Sequence, residues 1–328
     1  MRKEGMFYRT LDDSFICGLC PHECRLSEEK RGICGVRTIG GGKLRSLSYG
    51  MVSSIALDPI EKKPLYHYKP GKYVLSVGGF GCNFKCGFCQ NYRISMENPE
   101  TRYIPPEVLI DYGLDSIDEG NIGIAFTYNE PTVWYEYVYD TAVMCKNNDL
   151  DVILVTNGYI NREPLEKLLP YVDTMNIDLK AFNENFYRRV CGGGLNSVLK
   201  TIELAASRCH VEITTLVVNG YNDSIEEIGE LSRWISKINP DIPLHLSRYY
   251  PSYKFNEPST PIDKVMKCVE EARKSLNYVY LGNIPGVDTN TYCPECGNLI
   301  IDRNGYDAKI LIDSNVCSCC GKTINIVL

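Results

Sequence analysis

Apolar positions along the chain fall into short unbroken runs separated by longer stretches of helical period. The runs are 72–78 (KYVLSVG), 121–128 (NIGIAFTY), 151–156 (DVILVT), 174–180 (TMNIDLK), 211–218 (VEITTLVV), 243–249 (PLHLSRY) and 278–281 (YVYL). Each is bounded by Gly, Asn, Asp or Pro, the pattern of strands buried on both faces. Of the helical stretches, 105–118 opens on Pro105-Pro106, and 132–147 sets Val133, Trp134, Tyr137, Val138, Thr141 and Met144 on one side. In 224–239, Ile225, Ile228, Leu231, Ile235 and Ile238 recur at helical spacing, and Ser224 with Glu227 reads as a capping box. Residues 261–275 supply one more helix.

Strand, helix, strand, repeated about six times, predicts an α/β fold of parallel strands with right-handed crossovers. An open doubly wound sheet and a full or partial β/α barrel both satisfy that pattern. Both put their chemistry at the carboxyl ends of the strands. The pattern also divides the chain. Residues 1–71 form a Cys- and Gly-rich module and linker with little periodicity, 72–283 the core, and 284–328 a tail of short strand-like pieces between cysteine knuckles.

The 328 residues, 44% hydrophobic and 23% charged, are ordinary for a globular chain larger than one small domain. The longest apolar runs, such as Val152-Ile153-Leu154-Val155, are too short to cross a bilayer. Met1-Arg2-Lys3-Glu4-Gly5 leads into no apolar secretory segment, so a cytoplasmic location is expected. The net charge of −6 argues against a nucleic-acid binder, which needs basic surface. Residues 1–72 alone carry 13 Lys and Arg against 8 Asp and Glu, leaving room for a small basic patch there.

Sixteen cysteines change the picture most. In a reducing compartment, clustered thiols mean metal. Cys82, Cys86 and Cys89, spaced C-x3-C-x2-C, directly follow the first core strand through Gly78-Gly79. Three thiolates are one short of the four that close a zinc or iron–sulfur site. A cluster held this way keeps one iron open to an outside molecule, which is a catalytic design. At the chain's end, Cys293/Cys296 and Cys317/Cys320 have zinc-ribbon spacing, leaving Cys319 as the odd thiol. Zn2+ is expected there over a rubredoxin-like iron. Cys17, Cys20, Cys24 and Cys34 also close a site, for Zn2+ or an auxiliary iron–sulfur cluster, and spacing alone does not separate the two. A metal-ribbon module that binds protein or nucleic acid would explain these outer groups but not the middle three.

The triad, with Phe88 before its last cysteine, resembles the signature of radical SAM enzymes. That resemblance implies a [4Fe–4S] cluster whose open iron is chelated by S-adenosylmethionine, and reductive cleavage to a 5′-deoxyadenosyl radical that takes hydrogen from a substrate. It also assigns cofactor contacts at successive strand ends: Tyr128, Asn129 and Glu130; Thr156 and Asn157; Asp178 and Lys180; and Val218. On the next strand, His245 and Arg248 are expected to face substrate or cofactor. Taken singly, these residues are ordinary turn chemistry, a surface ion pair or a core histidine. Over nearly its whole length, through Cys17–Arg37, Asp58–His67, Gly81–Asn91, Phe126–Thr132, His245–Pro251 and the terminal ribbon, the chain resembles the radical SAM component of the AmmeMemoRadiSam system. That group is related to pyruvate formate-lyase activating enzymes. The resemblance implies a partial (β/α)6 barrel, a low-potential electron donor of the ferredoxin or flavodoxin type, and companion proteins of the Memo and AMMECR types. A glycyl-radical activase acting on a protein is the alternative within the same chemistry.

Overall fold

The computed structural model describes residues 3–11, 14–28 and 30–328; Met1 and Arg2, where the secretory reading begins, lie outside it, as do Asp12, Asp13 and Glu29. Its centre is an eight-stranded sheet of β1 (Ser54–Pro59), β2 (Tyr73–Gly78), β3 (Asn121–Phe126), β4 (Asp151–Thr156), β5 (Thr174–Asp178), β6 (His210–Val217), β7 (Leu244–Arg248) and β8 (Val279–Gly282). From β2 to β8 every pairing is parallel and joins strands consecutive in the chain. A doubly wound sheet reverses its strand order at a switch point, and this one never does. With right-handed crossovers, an unreversed order sends every helix to the same face and curls the sheet into a partial barrel.

The sheet is longer than the pattern predicts. All seven predicted runs form the parallel strands β2 to β8, and an eighth strand, β1, pairs antiparallel with β2 from Ser54↔Gly78 to Pro59↔Tyr73. The linker before residue 72 therefore joins the barrel wall. Helices α1 (Pro106–Asp115), α2 (Tyr135–Asn147), α3 (Arg162–Leu168), α4 (Leu195–Ala206), α5 (Ile225–Ile238) and α6 (Ile262–Ala272) cover the outside. Helices α3 and α4 were not among those predicted. Leu195, Val198, Ile202 and Ala205 nonetheless give α4 a buried stripe at helical spacing. At the start of α5 the Ser224 hydroxyl accepts from the Glu227 N–H, while the Glu227 carboxylate accepts from Phe182 N instead of closing a full capping box.

Residues 3–46 make two small antiparallel sheets, Tyr8–Leu11/Ser14–Cys17/Arg25–Leu26 and Lys3–Glu4/Lys43–Ser46/Arg37–Gly40. The tail forms a third, Thr291–Tyr292/Leu299–Asn304/Asp307–Ile310. Its Ile300, Ile301, Ile312 and Ile324 pack with Tyr66, Tyr278 and Tyr280 of the barrel. The Arg303 guanidinium, buried against the Tyr66 ring, donates to Tyr66 O and to Thr291 Oγ1. Tyr280 is near the start of β8 and Tyr278 immediately precedes that strand, so the tail seats at the amino ends of the strands. No helix of the described residues is long and apolar enough to cross a membrane.

Candidate active site

Parallel strands end together, and the loops that leave their carboxyl ends enclose a cavity of about 350 Å³. That lies in the range of small-molecule sites, about 300–1,000 Å³. Cys82, Cys86 and Cys89 line one side of it, from the loop after β2, and no fourth cysteine among the described residues does. The loop's course depends on Gly81, which sits at φ +85° where a Cβ would lie 2.6 Å from the Cys34 carbonyl oxygen. Phe84 N donates to Cys82 Sγ at 3.3 Å. Burial is the first cause raising the Cys82 thiol pKa, followed by Glu130 and Cys86. For Cys86 the first cause is a hydrogen bond with Cys191, then burial.

The following strand ends pin this loop. Asn129 after β3 accepts from Gly79 N at 3.0 Å and donates to Gly81 O at 3.1 Å. Glu130 is buried and accepts from Thr132 N, Thr156 Oγ1 and Asn157 N at 2.9, 2.7 and 2.8 Å. Burial raises its pKa while those three donors oppose the rise. Asn157 after β4 donates from Nδ2 to Asn83 Oδ1 at 2.9 Å, with Cys82 Sγ 3.7 Å away. Thus Glu130 holds Asn157, which holds the triad loop. Tyr128 adopts φ +70° and donates its hydroxyl to Asp58 on β1, 2.6 Å away.

Asp178, the last residue of β5, and Lys180 just beyond it face each other at 2.9 Å, side chains 34% and 15% exposed, so both reach the cavity space. Burial works against the Lys180 charge, yet Asp178, Cys86 and Cys191 hold its pKa well above the usual lysine value. Tyr128, Asn129, Glu130, Thr156, Asn157, Asp178 and Lys180 all line the cavity together with the triad.

Three expected contacts, Val218, His245 and Arg248, are not among the residues that line this cavity. His245 is the second residue of β7, near its amino end, and its Nε2 sits 2.7 Å from the Glu212 carboxylate. Burial alone would raise the Glu212 pKa, but His210 and His245 hold it well below the usual range. Arg248 turns outward, donating to Thr260 O at 2.7 Å and stacking on Tyr250. Val218 is fully buried, its N–H bonded to Asn222 Oδ1. Strand position alone does not tell cavity-facing residues from core ones, because the period of two flips with each register choice.

Other cavity residues escaped sequence reasoning: Thr214, Leu216, Ser247 and Asn283 line it. Alternation along β7 puts Ser247 at the top, two residues beyond His245. Lys62 and Pro64 also line the cavity, so the Asp58–His67 run covers part of its mouth. Lys63, 2% exposed, pairs with Asp58 at 2.7 Å. Cys191 ends a wide helical turn, Tyr187–Cys191, and lies fully buried behind Cys86.

The outer cysteines form two more groups. The Sγ atoms of Cys293, Cys296, Cys317 and Cys320 all lie within 4.8 Å of one another, and no other group of three or more such ligands does so among the described residues. Cys319 is exposed and outside that set. Cys17, Cys20, Cys24 and Cys34 line a small void with His22, Arg37, Thr132 and Val133.

The arrangement suits the groups expected of it: three cavity thiols for a cluster with one free iron, and an ammonium–carboxylate pair for a zwitterionic ligand. The chain belongs to the radical SAM superfamily, whose family model, the Radical SAM superfamily, matches residues 76–235. It is 43% identical to the uncharacterized protein MJ0808 of Methanocaldococcus jannaschii over 99% of this chain and 100% of that one. A putative glycyl-radical enzyme activating enzyme of the same organism, MJ1632, is 28% identical over 61% of this chain and 77% of its own. A radical SAM methyltransferase from Sphaerobacter thermophilus superposes with a TM-score of 0.53 at 15% identity, covering 70% of this chain and 71% of that structure, a likeness of fold.

Proposed function

We propose that this chain is an oxidoreductase that reductively cleaves S-adenosylmethionine and abstracts hydrogen from a substrate bound in the same cavity. Cys82, Cys86 and Cys89 would hold the [4Fe–4S] cluster, which when bound supplies the electron that breaks a C–S bond of the sulfonium to give the 5′-deoxyadenosyl radical. Lys180 and Asp178 would bind the carboxylate and ammonium of the methionine end. Asn129, Glu130 and Asn157 hold the triad loop in place, and Thr156 is fixed by the same carboxylate. Lys62 and Pro64 narrow the mouth and help exclude water.

The observation that carries this reading is the convergence of three cysteines, without a fourth, on the cavity that Asp178 and Lys180 also line. Reconstituted, dithionite-reduced protein should release 5′-deoxyadenosine from S-adenosylmethionine, and a Cys82→Ala/Cys86→Ala/Cys89→Ala variant should release none. Undiminished release by that variant would sink the assignment.

The activase subtype is a narrower proposal, favoured by the likeness to MJ1632 over 77% of that protein. It predicts a glycyl-radical EPR signal on a protein partner; turnover of a small molecule with no such signal counts against it. Assignment to the AmmeMemoRadiSam system rests on the end-to-end motif resemblance. It brings Memo-type and AMMECR-type companions, a ferredoxin- or flavodoxin-type donor, and a cytoplasmic setting. Zn2+ at the terminal ribbon is supported by the close approach of Cys293, Cys296, Cys317 and Cys320. Zinc holds its thiolates at about 2.3 Å.

A further inference from the structure

The loop that carries the triad reaches the surface: Lys85, between Cys82 and Cys86, and Gln90, next to Cys89, are exposed. Segments from two other strand ends pack on it. After β5, Cys191 O accepts from Lys85 N at 2.7 Å, which sets the turn 184–192 against the loop. After β7, Lys254 N donates to Gly87 O at 2.9 Å, and Ser252 Oγ donates to Cys89 O at 3.2 Å. The chain just beyond the triad joins the second segment, because Tyr92 stacks on Tyr253 with ring centroids 4.7 Å apart and planes at 15°.

These segments bring cations together on one face. Lys85, Arg93, Arg188, Arg189 and Lys254 are all exposed. Lys85 Nζ reaches Cys82 O at 3.2 Å. Arg93 and Lys254 flank the stacked tyrosines, 6.0 Å from the Tyr92 ring centre and 5.1 Å from that of Tyr253. Of the five, only Arg188 is in an ion pair among the described residues, with Glu184 at 3.0 Å. Residues 82–97, 184–192 and 252–257 together hold these five cations against three carboxylates, Glu97, Glu184 and Glu257. The face is thus net +2 in a chain of −6. An acidic partner that the chain as a whole repels is drawn to it.

We propose that this face is the docking site of an acidic one-electron carrier protein of the ferredoxin or flavodoxin class. Resting on the function proposed above, docking delivers the one electron that cleavage consumes. The reduced carrier loses one electron, the cluster held by Cys82, Cys86 and Cys89 gains it, and no bond is made or broken and no proton moves. A carrier needs closeness to the cluster and not entry to the cavity, whose mouth Lys62 and Pro64 narrow. The cationic face gives that closeness, since Ser252 and Lys254 are bonded to the triad loop's own carbonyls. Electron-transfer encounters are small, below about 1,200 Å², and steered by charge. A few exposed cations suit them, whereas a nucleic acid asks for a more extended basic surface.

The test variant combines Arg93→Glu, Arg189→Glu and Lys254→Glu, none of which lines the cavity. Lys85 is left in place because it bonds Cys82 O. The probes are a reduced bacterial ferredoxin and a reduced flavodoxin, added to anaerobically reconstituted full-length protein. Calorimetry at low salt should show at least one of them binding the unmutated chain, and about tenfold or more weaker binding to the variant. Added salt should weaken the unmutated complex far more than the variant's, a measurement whose first half needs no substitution. EPR should show the cluster reduced more slowly by the carrier in the variant, while dithionite-driven release of 5′-deoxyadenosine holds. No binding of either carrier at low salt overturns the proposal, as does equal affinity with equal carrier-driven reduction in the two proteins. Carrier binding unaltered while a transfer RNA loses affinity for the variant gives the face to nucleic acid and overturns it too. Absence of dithionite-driven release from the unmutated protein strikes instead at the function on which docking rests.

Discussion

At the carboxyl-terminal end of the chain four thiols crowd together on small hairpins, with Cys296 and Cys320 exposed, whereas the amino-terminal four surround a partly buried void beside the triad loop. The ribbon seats at the amino ends of the strands, through Tyr278 and Tyr280, away from the cavity. The other quartet shares a wall with it: Tyr128, Asn129 and Glu130 face the cavity, while Thr132 and Val133, next along the chain, face the void. Ligand type is the same in both. Their neighbours differ: the ribbon packs on Tyr66, Tyr278 and Tyr280, and the other group on the residues that follow the cavity wall.

The largest effect should come from removing two ribbon ligands. A tail of 45 residues with five buried isoleucines has little core of its own, and structural zinc contributes on the order of 10–16 kcal/mol in isolated peptides. Cys293→Ser/Cys320→Ser should lose the Zn2+ proposed for the ribbon and become open to limited proteolysis after about residue 284, while 5′-deoxyadenosine release falls only modestly. A protease-resistant tail in that variant would mean that packing on Tyr66, Tyr278 and Tyr280, and not metal, holds the ribbon.

The two buried arginines sharpen the contrast. Arg37 faces a carboxylate, Glu136, with exposures of 1% and 0%, so Arg37→Met strands a buried charge and should cost about 3–5 kcal/mol. Arg303 at the ribbon donates to neutral partners, the Thr289 and Tyr66 carbonyls and the Thr291 hydroxyl. Arg303→Met should cost about 1–3 kcal/mol. Denaturant midpoints of the two variants compare them directly; equal losses would remove the special standing given to Arg37.

Glycine substitutions probe the same difference more gently. Gly81 and Gly321 both sit at positive φ, +85° and +77°, but only Gly81 has a neighbour in the way, the Cys34 carbonyl. Gly81→Ala should therefore destabilise by about 1–3 kcal/mol and lower iron retention at the triad. Gly321→Ala should cost about 1 kcal/mol, and the iron content should stay as it was. Unchanged iron in Gly81→Ala would show that the quartet and the triad loop are not mechanically linked.

Much of this was legible in the chain because parallel strands buried on both faces write themselves as apolar runs: β4 coincides with its predicted span, Asp151–Thr156. The triad on the cavity and the terminal group of four thiols were legible because cysteines a few residues apart are held together locally. What escaped depends on side-chain direction and long-range register. His245 and Ser247 share one strand, and only the pairing of His245 with Glu212, 33 residues away, shows which of them belongs to the core. The strand β1 was hidden because Ser54–Pro59 is exposed at Ile55 and Ala56 and lacks the apolar run of a two-faced strand. The choice between zinc and cluster at the amino terminus is not in the spacing.

The smallest effect is expected where a cysteine stands beside a metal site without joining it. Cys319 lies between two ligands in sequence, yet it is exposed and outside the group of four Sγ atoms within 4.8 Å. The turn that brings Cys317 N to Lys322 O and Gly321 N to Cys317 O points the first and fourth residues of the knuckle inward and leaves the third outside. Cys319→Ser therefore removes no ligand and no packing, and should change stability by less than about 0.5 kcal/mol. Zinc content per chain should match the unmutated protein. Loss of zinc from Cys319→Ser, with retention in Cys320→Ser, would reverse the ligand choice and with it the tight geometry against which the amino-terminal quartet has been compared.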